Sequence, residues 1–241
     1  MFYQIVLICL FITVAQPQMA GHFTRCLTSE INKKNCLIKL LNTVRPLLKD
    51  GIKELGIPSY DPLMFPYANI KHKSPEIQFS AHVRNLSFHN LINFELIDLN
   101  LDSKGKRVVE EINFPDVLIT TDYSIDGVFL NRLLKGDGFA QITTPHMYVI
   151  NTITYRTFLK NGVKRCEVIG VNIKVTLGNV HVHADGLTKE SVSNKFLNDH
   201  SQLVTKELSQ VIGKIFEVEG RRRYEEACRT NQPGLTDLIF V

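Results

Sequence analysis

The spacing of apolar residues divides the chain into two helical stretches on either side of a long region of strands. The apolar stripe of the first stretch recurs every three or four residues and consists of Leu37, Leu40, Leu41, Val44, Leu47 and Leu48. Pro46 lies inside this pattern and is expected to kink or divide the helix, because proline removes a backbone donor. Gly51 and Gly56 are expected to end it.

The second helical stretch is predicted over residues 191–216. Its apolar positions again recur at spacings of three and four, and they are Val192, Phe196, Leu203, Val204, Leu208, Val211, Ile212 and Ile215. A helix of this size is about 39 Å long. Such a length requires an extended surface for the helix to pack against.

Between the helices, over residues 75–188, the apolar period changes to two, which is typical of half-buried strands. Strands are predicted over 77–84, 91–101, 107–113, 117–126, 138–144, 147–159, 171–177 and 180–184. Turns are predicted at Ser103-Lys104-Gly105, Asp126-Gly127, Asp137-Gly138 and Asn161-Gly162. Strands and helices do not alternate, so we predict an α+β chain with an antiparallel sheet. If that sheet curls around the long helix, the space along the helix suits an elongated apolar ligand.

The composition narrows the functional classes. The chain has 241 residues, of which 44% are hydrophobic, and a formal net charge of +4. Its basic residues are scattered rather than striped, which argues against a nucleic-acid binder. The one basic run, Arg221 to Arg223, is interpreted as a solvated helix end.

The first residues predict export. Residues 5–14 form an apolar run that is too short to span a bilayer, and small residues follow it. We therefore predict a signal peptide over residues 1–20, cleaved after Ala15 or Ala20. The protein is expected to be secreted and extracellular, without stable membrane insertion. Asn85-Leu86-Ser87 is a glycosylation sequon at Asn85, consistent with export.

Removal of the signal leaves four cysteines, an even number that implies two disulfides with three possible connectivities. The favoured pairing joins Cys26 to Cys36 and Cys166 to Cys228. A zinc site is the alternative, but the C-x2-C spacing of such sites is missing.

Catalytic chemistry has little support in the sequence. Nucleophile, zinc-protease and phosphate-loop motifs are missing. His181 and His183, with Asp185 nearby, lie at alternate positions and fit a metal site in part, but the third ligand is not identifiable. The same pattern fits the solvent face of an edge strand. We expect neither an enzyme nor a cofactor.

In order along the chain, several segments resemble the insect juvenile-hormone-binding and takeout family. They are the closely spaced Cys26 and Cys36 after a signal peptide, VRPLLKDGIKELGIPSYDPL (44–63), FPDVLITTDYSIDGVFLNRLLKGDGFAQI (114–142) with Tyr123, Gly127, Gly136 and Gly138, and FLNDHSQLV (196–204). The resemblance covers most of the mature chain. The family's long helix usually opens with Asn and Trp, whereas this chain has no Trp and carries His200 and Ser201 there.

The resemblance implies a tubular lipid-binding fold over residues 21–241, in which a curved antiparallel sheet wraps a long C-terminal helix and an N-terminal helix precedes it. It also implies a disulfide between Cys26 and Cys36 and a non-enzymatic carrier of an apolar molecule such as a terpenoid hormone. The residues expected to line the tunnel are Phe196, Leu203, Val204, Val211 and Ile215 from the helix and Tyr123, Phe139 and Tyr148 from the sheet.

Two other functions are compatible with the sequence. One is an extracellular interaction module that contacts a receptor or other protein and fills its cavity with its own side chains. Two features would identify such a module: the interior along the helix has no void, and the surface has an exposed apolar patch of several hundred Å². The other is a metal-dependent hydrolase that uses His181 and His183.

Overall fold

A computed structural model describes residues 33–51, 59–102 and 104–230. The fold is α+β, as predicted. The helices are α1 (Lys33–Asp50), α2 (Glu190–Asp199) and α3 (Ser201–Thr230). The strands are β1 (Leu63–Lys73), β2 (Ile77–His89), β3 (Glu95–Asp102), β4 (Arg107–Phe129), β5 (Arg132–Lys160), β6 (Val163–Leu177) and β7 (His181–Ala184), with a 3-10 turn at Leu91–Asn93.

Within the described ranges the strands form one antiparallel sheet wrapped around α3. The order is β1-β2-β4-β5-β6, with β3 paired to the first half of β4 and β7 paired to β5. Helix α3 contacts both β6 and β1, which lie at opposite ends of this order. A sheet reaches one helix with both of its edges only if it curves around that helix. The predicted architecture is therefore confirmed.

Strands β4 and β5 are much longer than predicted, because two expected turns lie inside them. Asp126-Gly127 lies within β4 and Asp137-Gly138 within β5, and each dipeptide pairs with residues of the other strand instead of reversing the chain. The reversal occurs at Leu130 and Asn131, whose φ angles of 47° and 62° suit a two-residue hairpin. The glycines serve close packing: a Cβ on Gly138 would lie 2.3 Å from the backbone oxygen of Asp185.

Breaks between strands are predicted near residues 114–116 and 145–146. In the structure, the buried positions switch at these places from even-numbered to odd-numbered residues. In β4 the buried positions are even up to Phe114 and odd from Val117, with Asp116 between them at a φ of 49°. In β5 the buried positions change from even to odd across Pro145 and His146. A loss of phase in the apolar pattern resembles the end of a strand, although the ladder continues on both sides of each switch.

The helices also differ in extent from the prediction. Helix α1 runs through Pro46 to Asp50, so the predicted division at Pro46 is wrong. The second helical stretch is two helices interrupted at His200, and α3 continues 14 residues beyond Phe216. The run Arg221 to Arg223 therefore lies inside α3, where Arg222 and Arg223 both hydrogen bond to Glu219. Against the effect of burial, these two guanidinium groups lower the pKa of Glu219 to about 2.

Polar side chains of α2 and α3 fix both helices against the edge of the sheet. Asn194 and Asn198, one turn apart, each accept a backbone N–H and donate to a backbone carbonyl, at Ala184 and Val182 respectively. Thr205 and Ser209 continue the row by accepting the N–H groups of Val180 and Leu177. These bonds satisfy edge groups that have no neighbouring strand.

One disulfide joins the end of α3 to the sheet. Cys166 on β6 is bonded to Cys228 on α3, which is the favoured pairing for these two cysteines. Both residues are buried. Cys26 and the side chain of Cys36 lie outside the described residues, so their pairing stays a prediction.

Candidate functional site

A cavity of about 180 Å³ lies between α3 and the concave face of the sheet. Its lining comes from seven strands or helices and from the loop after β7. The lining residues are Ile70, Ile77, Phe79, Ala81, Val83, Leu86, Ile119, Thr121, Tyr123, Ile125, Leu134, Ala140, Ile142, Val182, Ala184, Leu187, Leu197, Val204, Glu207, Leu208, Val211, Ile212 and Ile215. Only Thr121, Tyr123 and Glu207 in this set carry polar side-chain atoms, so the space is predominantly apolar.

The two periodicities of the sequence produce this lining. In β4, the alternate residues Ile119, Thr121, Tyr123 and Ile125 project into the cavity, as expected for one face of a strand. In α3, the lining positions run from Val204 to Ile215 at spacings of three and one, which is a single stripe of a helix. The cavity therefore lies where the inward face of the sheet meets the apolar stripe of α3.

Aromatic side chains fill the interior next to one end of the cavity. Phe216 follows the lining residue Ile215 and is fully buried. Its ring centroid lies 5.1 Å from that of Phe88 and 6.1 Å from that of Phe65. Aromatic pairs at these separations are typical of a packed core. The cluster of Phe65, Phe88 and Phe216 therefore limits the cavity to the first half of α3.

At the other end, an outer pocket of about 390 Å³ lies beside α2. Leu134 and Leu197 line both the pocket and the cavity, and so they separate the two spaces. The pocket is amphipathic: Arg132 lies over the Phe196 ring at 4.1 Å from its centroid, and Lys189 contributes a second cation.

The predicted lining residues are distributed over four places. Tyr123, Val204, Val211 and Ile215 line the cavity. Phe196 lines the outer pocket, and Leu203 is partly buried and packs against the core without lining the cavity.

Phe139 and Tyr148 do not line the cavity, because both point to the outer face of β5. Phe139 is 39% exposed, and its inward neighbour is Ala140. Tyr148 lies between the buried residues Met147 and Val149, and its hydroxyl donates to Glu111, a bond that raises the pKa of Tyr148. The structure thus places both aromatic residues on the face of β5 opposite to the predicted one.

The hydroxyl of Tyr123 is already engaged. It donates to the backbone oxygen of Asp185 at 2.7 Å. Desolvation, reinforced by the charge of Asp185, raises the pKa of Tyr123 to about 12. The ring of Tyr123 thus lines the cavity, while its hydroxyl donates a hydrogen bond to the loop after β7.

Sequence reasoning missed a buried acid–base pair in the cavity wall. Glu207 of α3 is 2% exposed, and its Oε2 is hydrogen bonded to Nε2 of His72 on β1, which is 4% exposed. The pair links the edge strand β1 to the helix and so closes the wall. In the sequence, Glu207 interrupts the apolar stripe between Val204 and Leu208. A charged residue at such a position indicates a buried polar contact, although it does not identify the partner.

A second buried polar cluster lies outside the cavity, at the far half of α3. Asn151 Nδ2 donates to Glu110 Oε2 at 3.0 Å and to the Tyr224 hydroxyl at 2.8 Å. Glu110 and Asn151 are fully buried. Burial raises the pKa of Glu110 to about 7, although the Asn151 amide partly offsets this shift. The cluster joins β4, β5 and α3.

Because of the raised pKa of Glu110, we expect the free energy of unfolding to fall as the pH rises from 5 to 7. The folded protein keeps a proton on Glu110 with a pKa of about 7, whereas the ordinary value is 4.5. In this window the folded state binds more protons than the unfolded state, and about 2 kcal/mol of stability is lost. Glu110→Gln should remove this fall when urea unfolding is measured at pH 5, 6 and 7. The control is Glu111→Gln on the outer face, and equal slopes for the wild type and Glu110→Gln would contradict the assignment.

The histidines of β7 lie on the solvent side. His181 and His183 are exposed, while Val182 and Ala184 are buried and line the cavity. His183 Nε2 lies 3.2 Å from Asp185 Oδ1. Among the described residues there is no group of three or more His, Cys, Asp or Glu side chains placed to hold a metal ion. The pattern is therefore that of the outer face of a strand.

Asn85, the predicted glycosylation site, lies exposed at a register shift in β2. Its φ angle is 53°, and its Nδ2 donates to Asp122 Oδ2 at 2.8 Å. No described helix is both long and apolar enough to cross a membrane. Glycosylation of Asn85 stays a prediction.

Comparison with known proteins identifies relatives of this architecture. The sequence matches the family model described as haemolymph juvenile hormone binding protein over residues 5–230. No sequence among the curated proteins matches the chain. The crystal structure of Takeout 1 from Epiphyas postvittana is similar, with a TM-score of 0.63 and 15% identity, over 79% of this chain and 88% of that chain.

A weaker structural similarity involves the crystal structure of lipopolysaccharide binding protein. Its TM-score is 0.30 at 12% identity, over 76% of this chain and 38% of that chain. At these identities the structural matches bear on the fold alone, and the score of 0.30 supports no argument.

Proposed function

The chain belongs to the haemolymph juvenile hormone binding protein family, and from that premise we propose that it is a secreted carrier for a small lipophilic ligand. The ligand is a terpenoid or another apolar lipid held in the cavity between α3 and the sheet. The observation that carries the proposal is the cavity itself, which is lined by apolar side chains on nearly all sides.

The size of the cavity is compatible with such a cargo. A dry apolar cavity of about 150 Å³ is enough to hold benzene. The cavity here, at about 180 Å³, holds the apolar part of a small lipid. Each Å² of apolar ligand surface removed from water contributes about 25 cal/mol. The outer pocket beside α2 accommodates what extends beyond Leu134 and Leu197.

Secretion is part of the proposal. The apolar run over residues 5–14 is proposed to be the core of a signal peptide. The disulfide between Cys166 and Cys228 supports an oxidising compartment, where such bonds persist.

The interaction module is the weaker candidate. It requires the interior along the helix to be filled by the protein's own side chains. Among the described residues, aromatic rings fill the interior around the cluster of Phe65, Phe88 and Phe216, whereas a cavity lies beside Val204 to Ile215. The open space favours a carrier.

Competition with an apolar fluorophore tests the proposed function. We expect N-phenyl-1-naphthylamine to bind the purified protein at a single saturable site and to be displaced by terpenoids and medium-chain lipids. Displacement should weaken when the apolar chain is shortened, because less surface is buried. If the fluorophore does not bind, or if no apolar competitor displaces it, the carrier function is wrong.

A further inference from the structure

The buried residues of the outer pocket beside α2 form an apolar floor. They are Phe129, Leu134 and Leu197, and the ring of the partly buried Phe196 completes this surface. The rings of Phe129 and Phe196 pack edge to face with their centroids 5.5 Å apart. The pocket volume of about 390 Å³ lies within the range of small-molecule sites, roughly 300–1,000 Å³. The floor therefore suits the apolar part of a small ligand.

The rim of the same pocket carries positive charge that no carboxylate balances. Arg132 and Lys189 both line the pocket and are exposed, and the other described lining residues are uncharged. Lys195, also on α2, pairs with Asp199 at 2.8 Å. Within the described part of the chain, by contrast, Arg132 and Lys189 have no acidic partner. The rim is therefore complementary to an anion.

Contacts around the rim hold both cations at the pocket. The guanidinium carbon of Arg132 lies 4.1 Å from the centroid of the Phe196 ring. Ser193 fixes the segment that carries Lys189: its N–H donates to the Lys189 oxygen at 3.0 Å, and its hydroxyl donates to the Thr188 oxygen at 2.7 Å. The N–H groups of the Arg132 side chain donate to no other described residue, so they are available to a ligand.

The acidic residue beside Lys189 does not neutralise the rim. Glu190 is the first residue of α2, and its Oε2 accepts the N–H of Gly186 at 2.7 Å. Glu190 is not among the lining residues of the pocket. Its carboxylate is thus engaged with the loop after β7.

We propose that the outer pocket is a second binding site, which takes a soluble amphipathic anion such as a medium-chain fatty acid. Arg132 and Lys189 bind the carboxylate, and the floor takes the apolar chain. The inner cavity does not suit such a group, because its described lining residues include no cation and an unpaired buried charge is costly. The proposal goes beyond the carrier function, since it depends on the lining of the outer pocket alone.

A matched pair of fluorophores tests the second site. 1-Anilinonaphthalene-8-sulfonate has the rings of N-phenyl-1-naphthylamine and one added sulfonate. We expect the sulfonate probe to bind the outer pocket and the neutral probe to bind the inner cavity. Arg132→Gln and Lys189→Gln should each weaken binding of the sulfonate probe about tenfold, because each removes a contact to the anion. Both variants should bind the neutral probe within about twofold of the wild type.

Two further variants and two competitors serve as controls. Lys195→Gln removes a cation of α2 that does not line the pocket, so its affinity for both probes should stay within about twofold of the wild type. Arg132→Lys keeps the charge and should lose no more than about threefold in affinity for the sulfonate probe. Decanoate should displace the sulfonate probe from the wild-type protein, and decan-1-ol should not. Circular dichroism verifies the fold of each variant.

The outcomes separate the two proposals. If the sulfonate probe binds the wild type and both glutamine variants equally, or if decanoate does not displace it, the second site is wrong and the carrier function stands. Sedimentation of the protein with phosphatidylglycerol vesicles that depends on Arg132 and Lys189, without displacement by decanoate, would assign these cations to a membrane surface and overturn a soluble ligand. Binding of the sulfonate probe as expected, without binding of the neutral probe, would support the second site and contradict the carrier function.

Discussion

Replacing Ala140 with phenylalanine is expected to lower the affinity for an apolar ligand about a hundredfold while the protein remains folded. Ala140 is an inward residue of β5 that lines the cavity. A phenyl ring at this position occupies space that the ligand needs. If it displaces about 120 Å² of buried ligand surface, the loss is about 3 kcal/mol at about 25 cal/mol per Å², or roughly a hundredfold in the dissociation constant.

Gln141→Phe is the matched control for this substitution. Gln141 is the next residue of β5 and is exposed on the outer face. The same ring placed there should leave affinity within about twofold of the wild type, since exposed positions away from the site contribute little. Affinities are compared by fluorophore displacement, and circular dichroism verifies the fold of each variant. Equal losses for both variants would show that the cavity is not the binding site.

Removing the disulfide between Cys166 and Cys228 is expected to lower the free energy of unfolding by about 4 kcal/mol. The bond closes a loop with a sequence separation of 62 residues, and the chain-entropy model assigns a loop of that length about this value. The bond also holds the end of α3 on β6, next to the cluster of Glu110, Asn151 and Tyr224. The loss should therefore include some fraying of α3.

The double variant Cys166→Ser/Cys228→Ser is the appropriate test, because a reducing agent would act on every disulfide of the chain. Urea unfolding followed by circular dichroism gives the free energy, and hydrogen exchange shows where α3 opens. We expect faster exchange after Phe216 and little change around Val204 to Ile212, where the helix is anchored through Thr205 and Ser209. A loss below about 1 kcal/mol would contradict the role assigned to the bond.

The architecture is predictable from the sequence, because the helical spacing of three and four and the strand spacing of two are both clear where an element is buried on one side. The stripe from Val204 to Ile215 and the alternation in β2 and β6 both predict inward residues that are buried or partly buried in the structure. Strand β1 was missed, because Pro66 and Tyr67 are exposed in its middle and its inward pattern is weak. An edge strand that faces the solvent in this way has little apolar period to detect.

The site was less predictable, because its details depend on contacts between distant segments. The sequence predicts Phe139 on the inward face, whereas the pairing of β5 with β4 and β7 accompanies a register in which Ala140 faces inward. Gly127 and Gly138 suggested turns, since Asp-Gly is a strong hairpin signal, but the close approach of neighbouring backbone requires glycine there. The contact between His72 and Glu207 joins residues that are 135 positions apart, and no local pattern predicts it.

The account requires that the cavity beside α3 holds an apolar molecule, and native mass spectrometry of the purified protein tests this requirement most directly. Wild-type protein incubated with an excess of decan-1-ol or an isoprenoid alcohol should show a one-to-one adduct, and Ala140→Phe should show none at the same concentration. Lack of an adduct on the wild type, or equal occupancy of the wild type and Ala140→Phe, would contradict the account.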